Sequence, residues 1–99
     1  MKAQYFDLKG KRALVSGGAS GIGSSIVEHL CEQGVEVYFF DIDKKEAQKT
    51  IYRIKKKKFK IPTFIKCNIK KIQKYKTSIL NIIKKKGPID ILVNNASND

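Results

Sequence analysis

The run Ser16-Gly17-Gly18-Ala19-Ser20-Gly21-Ile22-Gly23 has the composition of a turn that can lie against a phosphate. Gly17 permits a tight turn after an apolar stretch, and Gly21 offers backbone with no Cβ in the way of a bound group. Gly23 permits close packing of the segment that follows. A helix starting here would present free N–H groups and the positive end of its dipole, which favour a pyrophosphate. Asp41 lies 18 residues beyond Gly23, close to the spacing of about 20 at which a carboxylate meets a ribose. Its charge would repel a 2′-phosphate, and neither Ser20 nor Ile42 supplies a cation to hold one. The residues therefore point to NAD rather than NADP as the cofactor.

The elements that must position these groups are legible in the spacing of apolar residues. Ala13-Leu14-Val15 reads as a buried strand running into the glycine turn. Ile22, Ile26, Val27, Leu30 and Cys31 then fall on one helical face, and Gly34 ends that helix. Residues Val35 to Ile42 are rich in β-branched and aromatic side chains and predict a second strand. Asp43 can cap a second helix, with Glu46 three residues on approximating a capping box and Ala47, Ile51 and Ile54 facing inward. Thr63 to Cys67 forms a third strand after Pro62. Ile72, Tyr75, Ile79, Ile82 and Ile83 space a third helix that Gly87-Pro88 terminates, and Ile89 to Val93 is a fourth strand. This βαβαβαβ order predicts an α/β fold, a Rossmann-type doubly wound parallel sheet of strand order 3-2-1-4, truncated after its fourth strand. Residues 1–99 are read as one incomplete nucleotide-binding domain.

Two motifs about 70 residues apart carry a family resemblance. Gly17-x3-Gly21-x-Gly23, preceded by Val15-Ser16, resembles the TGxxxGxG fingerprint of the short-chain dehydrogenase/reductase family. Asp90-Ile91-Leu92-Val93-Asn94-Asn95-Ala96 resembles that family's D-x-L-V-N-N-A-G segment. The resemblance covers the whole chain but only about the first two-fifths of a typical member. It implies that Ser16 to Gly23 hold the pyrophosphate and Asp41 the adenosine ribose. It further implies that Asn68 meets the adenine amino group, that Ile69 packs beside the base, and that Asn95 and Ala96 line the cofactor site. Ser16 stands for the usual Thr, Asn68 for Asp and Ser97 for Gly. The family's catalytic Ser and Tyr-x3-Lys have no counterpart at the expected places, so the resemblance implies NAD binding by a chain without its own proton-transfer groups. Tyr5 to Lys9 and Tyr52 to Lys56 have the pair's spacing but sit on the wrong elements.

Composition narrows the alternatives. The 99 residues are 41% hydrophobic and 30% charged, with 21 Lys plus Arg against 9 Asp plus Glu and a net charge of +12. Between Glu46 and Asp90 there is no acid, while lysines recur throughout. Such a face could bind a polyanion weakly by releasing counterions. Only Arg12 and Arg53 are arginines, which argues against base-specific contacts and favours compositional drift with solvated helix faces as the source of the excess. A standalone nucleotide-binding module and a basic polyanion-binding protein are the competing readings. No apolar run approaches the roughly 20 residues needed to cross a bilayer, and the N-terminus lacks signal-peptide features. Two cysteines, Cys31 and Cys67, read as buried apolar residues in a reducing cytoplasm. His29, beside Glu28 and Glu32, reads as a surface residue rather than a metal ligand. The family's dimer-forming helices have no counterpart in this sequence.

Overall fold

Apolar side chains on both faces of the first two strands require cover on both sides, and the chain supplies it with alternating helices. The computed structural model describes residues 8–95. The elements are β1 (Arg12–Ser16), α1 (Gly21–Glu32), β2 (Glu36–Asp41), α2 (Lys44–Lys56), β3 (Thr63–Lys66), α3 (Ile72–Lys86) and β4 (Ile91–Asn94). All strand pairings are parallel, in the order β3-β2-β1-β4, as the alternation of strands and helices predicts. The register sets Val15 beside Phe39 and Val93, and Asp41 beside Lys66. Strand limits differ from the sequence expectation by one or two residues, because ladder pairing and not apolar character decides where a strand stops.

Successive residues of β1 and β2 point to opposite faces, so two cores form. On one face Ala13, Val15, Val37 and Phe39 pack with Val27 and Cys31 of α1 and Ala47 and Ile54 of α2. On the other, Leu14, Tyr38 and Phe40 pack with Ile82 of α3, flanked by Tyr75 and Ile79. Phe39 meets Phe64 with ring centroids 5.4 Å apart, and Phe40 meets Tyr75 edge-on at 5.2 Å. The second core is the thinner one. Ile82 is the only fully buried residue of α3, and Leu80 and Leu92 remain 64% and 57% exposed.

Caps follow the sequence in part. The Asp43 carboxylate accepts the Glu46 N–H at 3.0 Å, as a capping residue should. The reciprocal half of the expected box does not form. The Asp43 N–H donates to Asp41 instead, and Glu46 pairs with Lys49. The α1 face also departs from expectation. Ile22 is 74% exposed, and the buried positions are Gly23, Ser24, Val27 and Cys31. One residue turns a helix by about 100°, so seating Gly23 against the turn swings Ile22 outward.

Candidate functional site

The glycine turn joins β1 to α1 at the end of the sheet where the strands finish, and its backbone is held from several sides. The Phe40 carbonyl accepts the N–H of Gly17 at 2.7 Å and of Gly18 at 3.4 Å. The Asn95 amide donates to the Gly17 carbonyl at 3.1 Å. Ala19 donates its N–H to the Asp41 carboxylate at 3.1 Å, and its carbonyl accepts the Thr50 hydroxyl at 2.7 Å. Among the described residues, none accepts a hydrogen bond from the N–H of Ser20, Gly21, Ile22 or Gly23. These donors are the orphan set of a helix N-terminus. The Ser20 side chain makes no capping bond to them.

Two glycines shape the turn, for opposite reasons. A Cβ on Gly23 would lie 1.8 Å from the Gly17 carbonyl oxygen and 2.6 Å from the Asn95 amide nitrogen, so helix and turn touch through backbone. Gly21 has φ +59° with no atom within 4 Å of a Cβ position, so the turn's outer side is open.

Beside the turn lies a cleft of about 360 Å³ lined by Gly17, Ser20, Phe40, Asp41, Ile42, Cys67, Asn68, Ile69, Lys70 and Asn95. The fold thus brings Gly17, Ser20, Asp41, Ile42, Asn68, Ile69 and Asn95 together. Ser16 is buried beneath it; its hydroxyl donates to the Val93 carbonyl at 3.3 Å and accepts the Asn95 N–H at 3.1 Å. Gly23 is buried under the turn, and Gly21 and Ile22 line a separate shallow groove with Ile26, His29 and Leu30. Ala96 lies outside the described residues, as does Tyr5.

Polar groups in the cleft are pre-engaged. The other Asp41 oxygen accepts the N–H of Ile42 at 2.7 Å and of Asp43 at 3.1 Å. A carboxylate has about four acceptor sites, so one remains unused after the Ala19, Ile42 and Asp43 bonds. The Asn68 side-chain oxygen accepts the Lys70 N–H at 3.0 Å, an Asx turn that orients the side chain. Below the cleft, burial raises the pKa of the Tyr75 hydroxyl above the usual phenol range, opposed by a hydrogen bond with Ser16.

Some residues of the site carry little signal in the sequence. Thr50 lies three residues after Ala47 and four before Ile54, on the inward face of α2. A polar side chain at an inward position was the available signal. Gly18 carried no signal beyond its place in the run, yet a Cβ there would meet Phe39 Cβ at 2.7 Å. Cys67 is half-buried in the cleft wall rather than a core residue; Cys31 is the buried one, its thiol pushed up to about 12 by burial and by nearby Glu28. Tyr52 is 66% exposed on α2 with Lys56 Nζ 5.8 Å from its ring centre, an outward cation–π contact. His29 is exposed, and no cluster of metal-binding side chains occurs among the described residues. No helix of the described residues is long and apolar enough to cross a membrane.

Comparison with known proteins agrees with this arrangement. The family model for short chain dehydrogenase matches residues 11–98. D-xylose 1-dehydrogenase of Caulobacter vibrioides is 34% identical over 97 residues, covering 98% of this chain and 37% of that enzyme. A hydroxysteroid dehydrogenase from Escherichia coli superposes with a TM-score of 0.80 at 31% identity, over 92% of this chain and 38% of that one. The citronellol catabolism dehydrogenase of Pseudomonas aeruginosa gives 0.82 at 30% identity, with the same shares. The chain spans little more than a third of the length of the curated relatives it matches. With the glycine turn at the head of α1, the 3-2-1-4 parallel sheet and Asn95 tying β4 to that turn, the chain belongs to the short-chain dehydrogenase family.

Proposed function

We propose that residues 1–99 form a nicotinamide-dinucleotide-binding unit, the cofactor-holding part of an oxidoreductase that acts on an alcohol or carbonyl substrate. The observation that carries this reading is the turn itself. Its backbone is tied down on three sides, and the N–H groups of Ser20 to Gly23 are left without acceptors among the described residues beside an open cleft. Gly17, Ser20, Gly21, Ile22 and Gly23 would present backbone to the pyrophosphate, with Ser16 bracing the turn from below. Asp41 and Ile42 would bound the adenosine ribose, Asn68 and Ile69 the adenine, and Asn95 and Ala96 the inner end. The absence of a Cβ at Gly21 fits a ligand lying against the turn, and its absence at Gly23 lets α1 seat against the Gly17 carbonyl.

When bound, the nicotinamide supplies hydride transfer. The chain's own residues bind and orient; none of those described is placed to move a substrate proton. Asp41 favours NAD, because its negative charge sits where a 2′-phosphate would come, and the cleft takes the Asp41 side from β2. Two free thiols suit a reducing, cytoplasmic setting. Association of the exposed lysines with polyanions is proposed as an effect of charge alone and is expected to fade as salt rises.

Calorimetric titration of the chain with NAD and with NADP tests the reading. NAD is expected to bind at least about tenfold more tightly, a difference of about 1.4 kcal/mol. Asp41→Asn should bring the two affinities together. Failure of both dinucleotides to bind, or tighter binding of NADP, overturns the proposal.

A further inference from the structure

The Ala19 peptide is gripped at both ends by side chains of the next βα unit. Asp41, at the end of β2, takes its N–H at 3.1 Å, and Thr50, in the middle of α2, gives its hydroxyl to the carbonyl at 2.7 Å. Thr50 is 1% exposed and Ala19 2% exposed, so the hydroxyl-to-carbonyl bond is shielded from water. In a continuous helix the Ala19 carbonyl would accept the N–H of Gly23, four residues on. Ser20 is instead the extended N-cap of α1, whose first backbone bond runs from Ser24 to Ser20, and the Ala19 carbonyl, just outside the helix, is turned to Thr50; no described residue accepts the Gly23 N–H.

From this geometry we infer that Thr50 is a positioning residue for anion binding at the turn. It never touches the ligand; it fixes the Ala19 carbonyl, and so the direction in which the N–H groups of Ser20 to Gly23 point. This rests on the dinucleotide reading and deepens it. The pyrophosphate affinity depends on a hydroxyl in the second helix, and the adenosine affinity does not. The adenosine wall, Asn68 and Ile69, comes from the segment after β3 and makes no contact with Thr50 among the hydrogen bonds of the described residues.

Removing the hydroxyl while keeping the volume leaves the Ala19 carbonyl buried without a partner, and the turn must shift to reach water. The test compares ADP with adenosine by NMR titration of the full chain, on wild type, Thr50→Val and Thr50→Ser. Thr50→Val is expected to weaken ADP about tenfold while adenosine changes by less than about twofold, and Thr50→Ser should restore ADP to within about twofold. Should the valine chain fail to fold, Thr50→Cys keeps the size with only a weak donor, and the same selective loss is expected of it. Equal losses for ADP and adenosine would mark Thr50 as a core residue only and overturn the inference, as would unchanged ADP affinity in Thr50→Val. A wild type that binds neither compound overturns the dinucleotide reading first and this one with it. A wild type that binds both, beside a variant that does likewise, removes only the role of Thr50.

Discussion

Gly23 shows how little a single residue needs to contribute chemically in order to be indispensable. It carries no functional group, yet a methyl at its α-carbon would lie 1.8 Å from the Gly17 carbonyl oxygen, inside any permissible contact. Gly23→Ala must therefore push α1 away from the turn or displace the Asn95 amide that holds Gly17. Overpacking of this kind costs about 1–3 kcal/mol, and here the displaced atoms are those that shape the anion site. The variant is expected to unfold at lower denaturant and to lose dinucleotide binding altogether, as read by urea titration and calorimetry. Wild-type affinity in Gly23→Ala would show that the turn tolerates a gap opened beneath it. Asp41 makes a related point. Its carboxylate accepts the N–H groups of Ala19, Ile42 and Asp43, so the residue proposed to meet the ribose also holds the turn in place.

Between elements, the contacts that matter most for pH are those joining α1 to α2. Glu28 of α1 receives Lys57 Nζ at 2.5 Å and Arg53 Nε at 2.6 Å from the end of α2. The hydrogen bonds from Lys57 and then from Arg53 hold its carboxyl below the usual carboxylate range of about 4.5. Glu36 is likewise lowered, by Tyr38 and then Arg12. A carboxyl with a depressed folded pKa stabilises the chain above its unfolded value, and that contribution disappears as pH falls through the folded one. Stability should thus be flat at neutral pH and decline below about 4.5. Glu28→Gln should lower the neutral plateau modestly and flatten the acid limb, measured as thermal midpoints between pH 3 and 7. An acid limb unchanged in Glu28→Gln would show that the clamp contributes nothing to folding, as for many exposed pairs.

At the scale of the molecule, the two faces of the sheet are unequal. The α1–α2 face encloses Val15, Val37 and Phe39 completely, whereas Leu80 and Ile83 of α3 and Leu92 of β4 remain exposed. Edge strands with apolar side chains invite pairing between chains, and exposed apolar area binds hydrophobic dyes. A chain of these 99 residues is expected to bind an anilinonaphthalene dye in its native state and to associate as concentration rises. Leu92→Lys should reduce both with little loss of stability, because that side chain is already 57% exposed. Scattering independent of concentration in the wild type would overturn this.

Element order, the strand sequence of the sheet and most of the cleft were legible in the residues alone. Glycine, apolar periodicity and capping residues act through local geometry, and the parallel βα alternation leaves few arrangements for what they specify. Asp41 and Gly17 could be picked out because their chemistry and spacing fit a ligand, and Asn68 through the family resemblance. What the sequence could not show is who holds the turn. Thr50 reaches Ala19 across 31 residues and Asn95 reaches Gly17 across 78, and no local pattern encodes such a meeting. The outward swing of Ile22 and the loss of half the capping box have the same origin. In both, a close backbone approach or a nearby carboxylate won over the local preference, and only packing in three dimensions brings those competitors within reach.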